Sequence, residues 1–197
     1  TENSISLIFS NKPSKRLTNL FLGVYGEKGR INNLVNKQKL VDRDIIISGK
    51  YDSHFIKILN NKNKADIYII GEHTNAVYYA LATLEQVLNQ CNKSNHGFSI
   101  SPFTIYDYAD MKYRGIVEGF YGYPYSFAVK KDLMSFFKRY KMNTYLYGAK
   151  SDPYHSGFWR DPYPEKISEL QEKNGWLSQD MIKSLSKLSL ETKVNFI

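Results

Sequence analysis

The second half of the chain alternates short apolar strands with amphipathic helices, and this alternation constrains the fold more than any other feature. The pattern predicts strands within Lys112–Phe120, over Thr144–Tyr147 and from Val194 to Ile197. Apolar residues at helical spacing lie between these strands, over residues 127–140 and over two stretches within 165–192. Strands that alternate with helices form parallel sheets, because parallel neighbours need a long crossover connection. The sequence therefore predicts a parallel α/β unit.

The first half has a different pattern, in which several short strands precede one helix. Its candidate strands, separated by Asn, Lys, Gly and Asp, are Ile5–Phe9, Leu20–Val24, Asp44–Ser48, His54–Leu59 and Asp66–Ile70. A helix capped by Thr74 follows, and then a further strand over Ser99–Tyr106. We therefore expect an α+β domain, a sheet covered by a helix, over residues 1–107 and a second domain over 108–197.

Composition excludes several classes of protein. The chain carries 27 basic and 19 acidic residues, a net charge of +8, but only six of the basic residues are Arg and they form no basic tail. Because nucleic-acid recognition draws on clustered Arg and Lys, we expect no nucleic-acid partner. The alternative, nucleic-acid binding, predicts that the protein is retained on DNA or RNA in a strongly salt-dependent way. A single cysteine excludes an intrachain disulfide, and no apolar run approaches the roughly 18 residues of a membrane span.

Chemistry in a parallel α/β unit concentrates just beyond the carboxyl ends of the strands. Two Gly- and aromatic-rich segments occupy such positions, Glu118–Gly122 and Gly148–His155. Gly119 lacks a Cβ, so a ligand can approach its main chain, while Phe120 and Tyr121 offer flat faces on which sugar rings pack. The alternative is a tight turn that merely needs glycine.

Charged residues in these segments allow two interpretations each. Lys150 directly follows a predicted strand, so it is placed either to donate to ligand hydroxyls or to pair with Asp152 or Asp161. Glu118 has no second carboxylate nearby with which to cleave a glycosidic bond, so we interpret it as a structural, hydrogen-bonded residue. His73 lacks a second ligand at metal spacing and is interpreted as a capping or surface residue.

Four ordered motifs resemble the family 84 glycoside hydrolases, the O-GlcNAcase and bacterial hyaluronidase-like β-N-acetylglucosaminidases. They are Tyr113–Gly122, Arg139–Tyr145, Lys150–His155 and Trp159–Tyr163. A weaker similarity to the family's amino-terminal domain covers Gly71–Leu81. The resemblance thus extends over nearly the whole chain and implies a (β/α)8 barrel after an amino-terminal sheet-and-helix domain.

The resemblance also implies a mechanism and site residues. It implies retaining, substrate-assisted hydrolysis, in which the 2-acetamido oxygen of the sugar attacks the anomeric carbon and two adjacent aspartates handle protons and charge. Gly119 is expected to present its main chain to a sugar hydroxyl, and Lys150 to donate to the sugar. Asp152 and Tyr154 are further candidates for substrate contact. No metal or organic cofactor is implied, and the expected partners are glycans or glycoproteins that carry terminal β-linked N-acetylglucosamine.

This sequence departs from the family pattern in two places. The family commonly reads Ala-Pro-Lys-Asp-Asp where this chain has Gly148-Ala149-Lys150-Ser151-Asp152, and no Asp-Asp dipeptide occurs in the 197 residues. Residues 108–197 are also too few for a barrel of about 250 residues. We therefore expect an incomplete barrel, truncated near its third strand, that is inactive alone and is completed by the remainder of the barrel or by a complementing chain.

The rival interpretation is a noncatalytic carbohydrate-binding or adhesion module derived from such an enzyme. It keeps the aromatic and Lys150 contacts without turnover. Resemblance to the bacterial enzymes favours a secreted or cell-surface location.

Overall fold

The structure is a computed structural model that describes residue 10 and residues 12–61, 64–94, 97–119, 122–157 and 161–197. The chain divides into two compact units, Thr1–Tyr108 and Ala109–Ile197. Among the described residues, no helix has the length and apolar character needed to cross a membrane.

The first unit contains a four-stranded mixed sheet, a short hairpin and two helices. Its elements are β1 (Asn19–Val24), α1 (Arg30–Lys37), β2 (Tyr51–Asn61), β3 (Lys64–Gly71), α2 (Thr74–Gln90), β4 (Asn92–Ser94), β5 (Gly97–Ser99) and β6 (Phe103–Ala109). The sheet order is β1-β3-β2-β6, with β1 parallel and β2 antiparallel to β3, while β4 and β5 form the hairpin.

Both faces of this sheet are covered, because successive residues of β2 and β3 point to opposite sides. One face packs against α2 through a buried cluster of Ile56, Ile58, Ile67, Ile69, Val77, Ala80 and Leu84. The other packs against α1 and the segment after it through Val35, Leu40, Ile45, Phe55, Tyr68 and Ile70. This double coverage explains why β3 reads as a continuous apolar run.

Most of the predicted elements of the first unit are confirmed, and the exceptions have physical reasons. Strands occur at Leu20–Val24, His54–Leu59 and Asp66–Ile70, within β1, β2 and β3. Asp44–Ser48 was wrong as a strand prediction, because its Ile45 covers the sheet as an irregular segment instead of pairing with a neighbour. The predicted Ser99–Tyr106 strand is divided between β5 and β6.

Three further differences concern the ends and the helices of the first unit. The predicted strand Ile5–Phe9 lies outside the described residues. Helix α1 was not predicted, because three of its eight residues are Asn and only Ile31, Leu34 and Val35 are apolar. Helix α2 is confirmed, but its N-cap is His73 rather than Thr74.

The second unit confirms the predicted order of strand, helix, strand, helix, strand. Its elements are β7 (Gly115–Glu118), α3 (Phe127–Arg139), β8 (Thr144–Tyr147), α4 (Pro153–Ser156), α5 (Glu169–Lys173), α6 (Gln179–Thr192) and β9 (Asn195–Phe196). The three strands form a parallel sheet in the order β7-β8-β9. The segment that follows β8 contains the single-turn helix α4, which begins at Pro153 with Asp152 as its N-cap.

The helices of the second unit cover one face of its sheet. Met134 and Phe137 of α3 and Leu185 of α6 are buried against Tyr145 and Tyr147 of β8. The intervening strand residues point to the opposite face, where side chains remain open to solvent: Val117 is 53% exposed, Leu146 38% and Ile197 63%. The sheet therefore has one packed face and one apolar face that no described residue covers.

The two strands β7 and β8 approach each other closely at Gly115. A Cβ at this position would lie 1.6 Å from the carbonyl oxygen of Thr144, the residue with which Gly115 pairs. Gly115→Ala should therefore separate the strands and destabilise the second unit by about 3 kcal/mol. Both tryptophans lie in this unit, so urea unfolding followed by tryptophan fluorescence measures the loss.

Gly148→Ala is the matched control. Its Cβ would lie 3.6 Å from the Glu118 carbonyl oxygen, an ordinary contact. We expect it to cost less than about 1 kcal/mol. Equal destabilisation by the two substitutions contradicts the close approach at Gly115.

Candidate functional site

Two loops begin side by side at the carboxyl ends of β7 and β8. Glu118 and Tyr147 are paired in register at the ends of these strands, and the Gly148 N–H donates to the Glu118 carbonyl oxygen at 3.3 Å. Gly119 therefore starts one loop beside the start of the other, which leads to Lys150. This is the edge at which parallel α/β proteins place their ligands.

Gly119 is exposed and has the backbone conformation that favours glycine. Its φ is +41°, in the left-handed region, and a Cβ built on it would meet no atom of the described residues within 4 Å. A side chain here would thus be strained by the backbone and not by crowding. No described residue therefore occupies the position that a Gly119 side chain would take. Phe120 and Tyr121 lie outside the described residues.

The loop after β8 has an exposed tip and a buried base. Lys150 is exposed, and the neighbouring Ser151 hydroxyl donates to the Gly122 carbonyl oxygen at 2.9 Å. Asp152 has no exposed surface, and its carboxylate accepts from the Tyr147 hydroxyl at 2.6 Å and the Tyr154 N–H at 3.0 Å. Asp152 thus anchors the loop from beneath, and the serine bond ties the two loops together.

Tyr154 and His155 follow in the short helix α4. The Tyr154 ring packs against Tyr163 with centroids 5.6 Å apart, and the His155 ring lies 5.5 Å from that of Tyr147. His155 therefore packs within the long loop that follows β8. Trp159 and Arg160 lie outside the described residues.

A buried ion pair lies beneath the first of these loops. Glu118 is 2% exposed and Lys130 of α3 is 0% exposed, with 3.1 Å between Oε1 and Nζ. The Glu118 carboxylate also accepts from the Tyr145 hydroxyl at 2.6 Å and from the Tyr125 N–H at 2.5 Å. Glu118 therefore has the structural, hydrogen-bonded role that the sequence predicts.

Lys130 was missed at the sequence level, although a signal was present. Its Nζ donates to the carbonyl oxygens of Tyr125 and Gly175, the latter at 3.3 Å, and lies 5.0 Å from the centre of the Tyr147 ring. Lysine on a helix is usually solvated. Lys130 nevertheless falls on the same helical face as the buried Met134 and Phe137, and this spacing could have identified it.

Burial dominates the electrostatics of this cluster. Loss of solvent lowers the pKa of Lys130, and the neighbouring Glu118 carboxylate opposes part of that shift. Burial, together with the hydrogen bond to Glu118, raises the pKa of Tyr145. Burial likewise raises the pKa of Tyr147, which donates to Asp152, and burial beside Asp152 raises the pKa of Tyr163 to about 12. All three tyrosines therefore stay protonated at neutral pH, and Tyr145 and Tyr147 act as hydrogen-bond donors.

One group of potential metal ligands occurs among the described residues, and it lies in the first unit. Ligand atoms of Asp52, Glu72 and His73 lie within 4.8 Å of one another. The Nδ1 atom of His73 accepts the Ala76 N–H at 3.2 Å and so caps α2, which leaves the proton of the neutral ring on Nε2, facing both carboxylates. Because a metal would need the Nε2 lone pair, this arrangement favours the predicted capping role over a metal site.

The chain is similar to a family model, to curated proteins and to solved structures. Residues 114–180 match the family model described as beta-N-acetylglucosaminidase. The chain is 42% identical over 55 residues to Protein O-GlcNAcase of Rattus norvegicus and of Mus musculus. Its fold is similar to the structure of CpGH84D, with a TM-score of 0.75 and 30% identity over 95% of this chain. It is also similar to the structure of CpGH84B, with a TM-score of 0.61 and 28% identity over 83% of this chain.

The chain spans only part of these relatives. The matched region covers 28% of this chain and 6% of the O-GlcNAcases, and the structural match covers 28% of CpGH84D and 25% of CpGH84B. The family-model match contains both loops and the buried cluster beneath them.

Breaking the buried pair should be costly. Lys130→Met leaves the Glu118 carboxylate buried without its cation, so we expect a loss of about 3–5 kcal/mol in the free energy of unfolding of the second unit. Adding Glu118→Gln removes that charge and should recover most of the loss. Lys131→Met, at the exposed neighbouring position, serves as the control and should change stability by less than about 0.5 kcal/mol. Additive effects of the two substitutions in urea unfolding contradict the pairing.

The raised pKa of Tyr145 predicts a loss of stability at alkaline pH. Tyr145 stays protonated in the folded chain, whereas in the unfolded chain it ionises with the ordinary tyrosine pKa of 10.0. Its contribution to stability is therefore fully present well below pH 10 and is lost as the pH rises above that value. The advantage of the wild type over Tyr145→Phe should shrink by about 1.4 kcal/mol between pH 8 and pH 11. Urea unfolding from pH 8 to pH 11 measures it, and a constant difference over that range contradicts the prediction.

Proposed function

We propose that the chain, which is similar in sequence to O-GlcNAcases and in fold to CpGH84D, supplies sugar-binding loops to a family 84 β-N-acetylglucosaminidase. The proposed substrate is terminal β-linked N-acetylglucosamine on glycoproteins or glycosaminoglycans. The observation that carries the proposal is the placement of Gly119 and Lys150 in loops that leave neighbouring parallel strands, within the segment that matches the family model.

Each loop has a proposed part in holding the sugar. The open main chain of Gly119 contacts a sugar hydroxyl, and the exposed Lys150 ammonium donates to another oxygen of the same sugar. Phe120 and Tyr121 supply flat faces for the ring. Tyr154 is a further proposed sugar contact, whereas the buried Asp152 acts through the loop that it anchors.

The proposed chemistry is retaining and substrate-assisted. The acetamido oxygen of the sugar attacks the anomeric carbon to give an oxazoline, one aspartate orients the acetamido group, and an adjacent one protonates the leaving oxygen and then activates water. These 197 residues contain no such adjacent pair. We therefore propose that they bind the sugar and that, acting alone, they do not hydrolyse it.

We propose further that residues 108–197 form the opening βα units of a (β/α)8 barrel, after an amino-terminal α+β domain over 1–107. The open apolar face of the second sheet supports this. In a barrel such a face points inward and is filled by residues of the other strands. Val117, Leu146 and Ile197 would lie in that interior.

The sugar-binding proposal predicts a response to a stable mimic of the oxazoline. Titration of the 197-residue chain, followed by amide NMR, should shift the signals of Gly119 and Lys150 together. Lys150→Ala should weaken the affinity about tenfold, because a charge-assisted hydrogen bond to the sugar is lost. Lys166→Ala, at another exposed lysine of the same unit, should have no effect. Unchanged signals at saturating mimic contradict the proposal.

The lack of an aspartate pair also fits the rival, a noncatalytic carbohydrate-binding module. A chimera that carries residues 114–180 in place of the matching segment of rat O-GlcNAcase separates the two. Our proposal expects this chimera to hydrolyse an aryl N-acetyl-β-glucosaminide. A chimera that binds the oxazoline mimic without hydrolysis favours the binding module.

A further inference from the structure

We propose that Lys130 and Glu118 are positioning residues that hold the two loops in the arrangement that receives the sugar. The inference rests on the proposed function and extends it to residues that contact no substrate. Both side chains are fully or almost fully buried, and neither is open to a ligand at the strand ends.

Lys130 ties three separate parts of the chain to one point. Its ammonium contacts the Glu118 carboxylate at the end of β7, the Tyr125 carbonyl near the end of the first loop, and the Gly175 carbonyl after α5. The Tyr125 N–H donates to the Glu118 carboxylate at 2.5 Å. Glu118 and Tyr125, which precede and follow Gly119 and Gly122 in the sequence, are thus both fixed to the same ion pair.

The second loop is linked to the same cluster by a different route. Lys130 lies against the face of the Tyr147 ring, and the Tyr147 hydroxyl donates to Asp152 at 2.6 Å. Asp152 in turn caps α4 and so fixes the residues that follow Lys150. A displacement of Lys130 would therefore change the positions of both loops. The hydrogen bond from Ser151 to the Gly122 carbonyl links the two loops at the surface.

Stability alone does not account for charges in this position. A buried ion pair gains little over apolar side chains of similar volume, because both ions lose their hydration. What an apolar pair cannot supply is directional bonding to two carbonyl oxygens, an amide and a hydroxyl at once. The cluster lies directly beneath the loops at the carboxyl ends of the strands, so its directional bonds act where the sugar is proposed to bind.

The double variant Lys130→Met/Glu118→Gln tests this in the full 197-residue chain. It removes both charges at similar volume, so it avoids the unpaired charge that could unfold the single variant. Three quantities are measured: the midpoint of urea unfolding, hydrogen exchange of the loops at 119–126 and 148–157, and affinity for the stable oxazoline mimic. Tyr147→Phe, a milder change that cuts only the link to Asp152, is measured alongside, with Lys131→Met as control.

We expect the double variant to unfold at a urea concentration close to that of the wild type, to exchange loop amides faster than core amides, and to bind the mimic about tenfold more weakly. Tyr147→Phe should loosen residues 148–157 selectively, and Lys130→Arg should retain most of the affinity because it keeps the charge and the donors.

Two results overturn the inference, and they differ in meaning. If the wild type binds the mimic and the double variant binds it equally well, Lys130 and Glu118 are not positioning residues and the proposed function stands. If the wild type itself does not bind the mimic, both the proposed function and this inference are wrong, regardless of the hydrogen-exchange rates of the loops.

Discussion

The Lys130 ammonium contacts the Glu118 carboxylate inside the second unit, where both side chains are buried away from water. The backbone at the ends of the strands is arranged around this ion pair. A lone charge there would be expensive, so the pair requires donors and acceptors on every side. Tyr145 and the Tyr125 amide satisfy the carboxylate, and two carbonyl oxygens satisfy the ammonium. The geometry of the first loop follows from these needs, because its backbone provides some of the partners.

The same requirement explains the character of β8. Tyr145 and Tyr147 point to the packed face, where their rings join an apolar core with Phe137 and Leu185. Their hydroxyls extend past that core to the two buried carboxylates, Glu118 and Asp152. Phenylalanine would fill the same volume but leave both carboxylates short of a donor. The alternation of the strand thus separates a side that supports the loops from an open side available for further packing.

Sequence patterns predicted the parts of this unit that rest on periodicity. Thr144–Tyr147 is a strand with the predicted bounds, and α3 lies within the predicted helical stretch 127–140. The partner of Glu118 was not predicted, because a lysine more than ten residues away is brought to it only by the packing of α3 on the sheet. Helix α1 was not predicted either, because its Asn-rich sequence carries little helical signal. Its stability comes from covering the first sheet.

Ser151, which differs from the acidic residue of the family motif, contacts the neighbouring loop. Where the family commonly has an acidic residue, the Ser151 hydroxyl donates to the Gly122 carbonyl, a bond that an ionised carboxylate could not make because it has no proton to donate. The substitution therefore exchanges an acidic group near Lys150 for a link between the two loops. Asp152, the second acidic position of the motif, is unchanged and caps α4 from its buried site. The loop thus has a buried anchor at Asp152 and a hydrogen bond to the other loop at its exposed end.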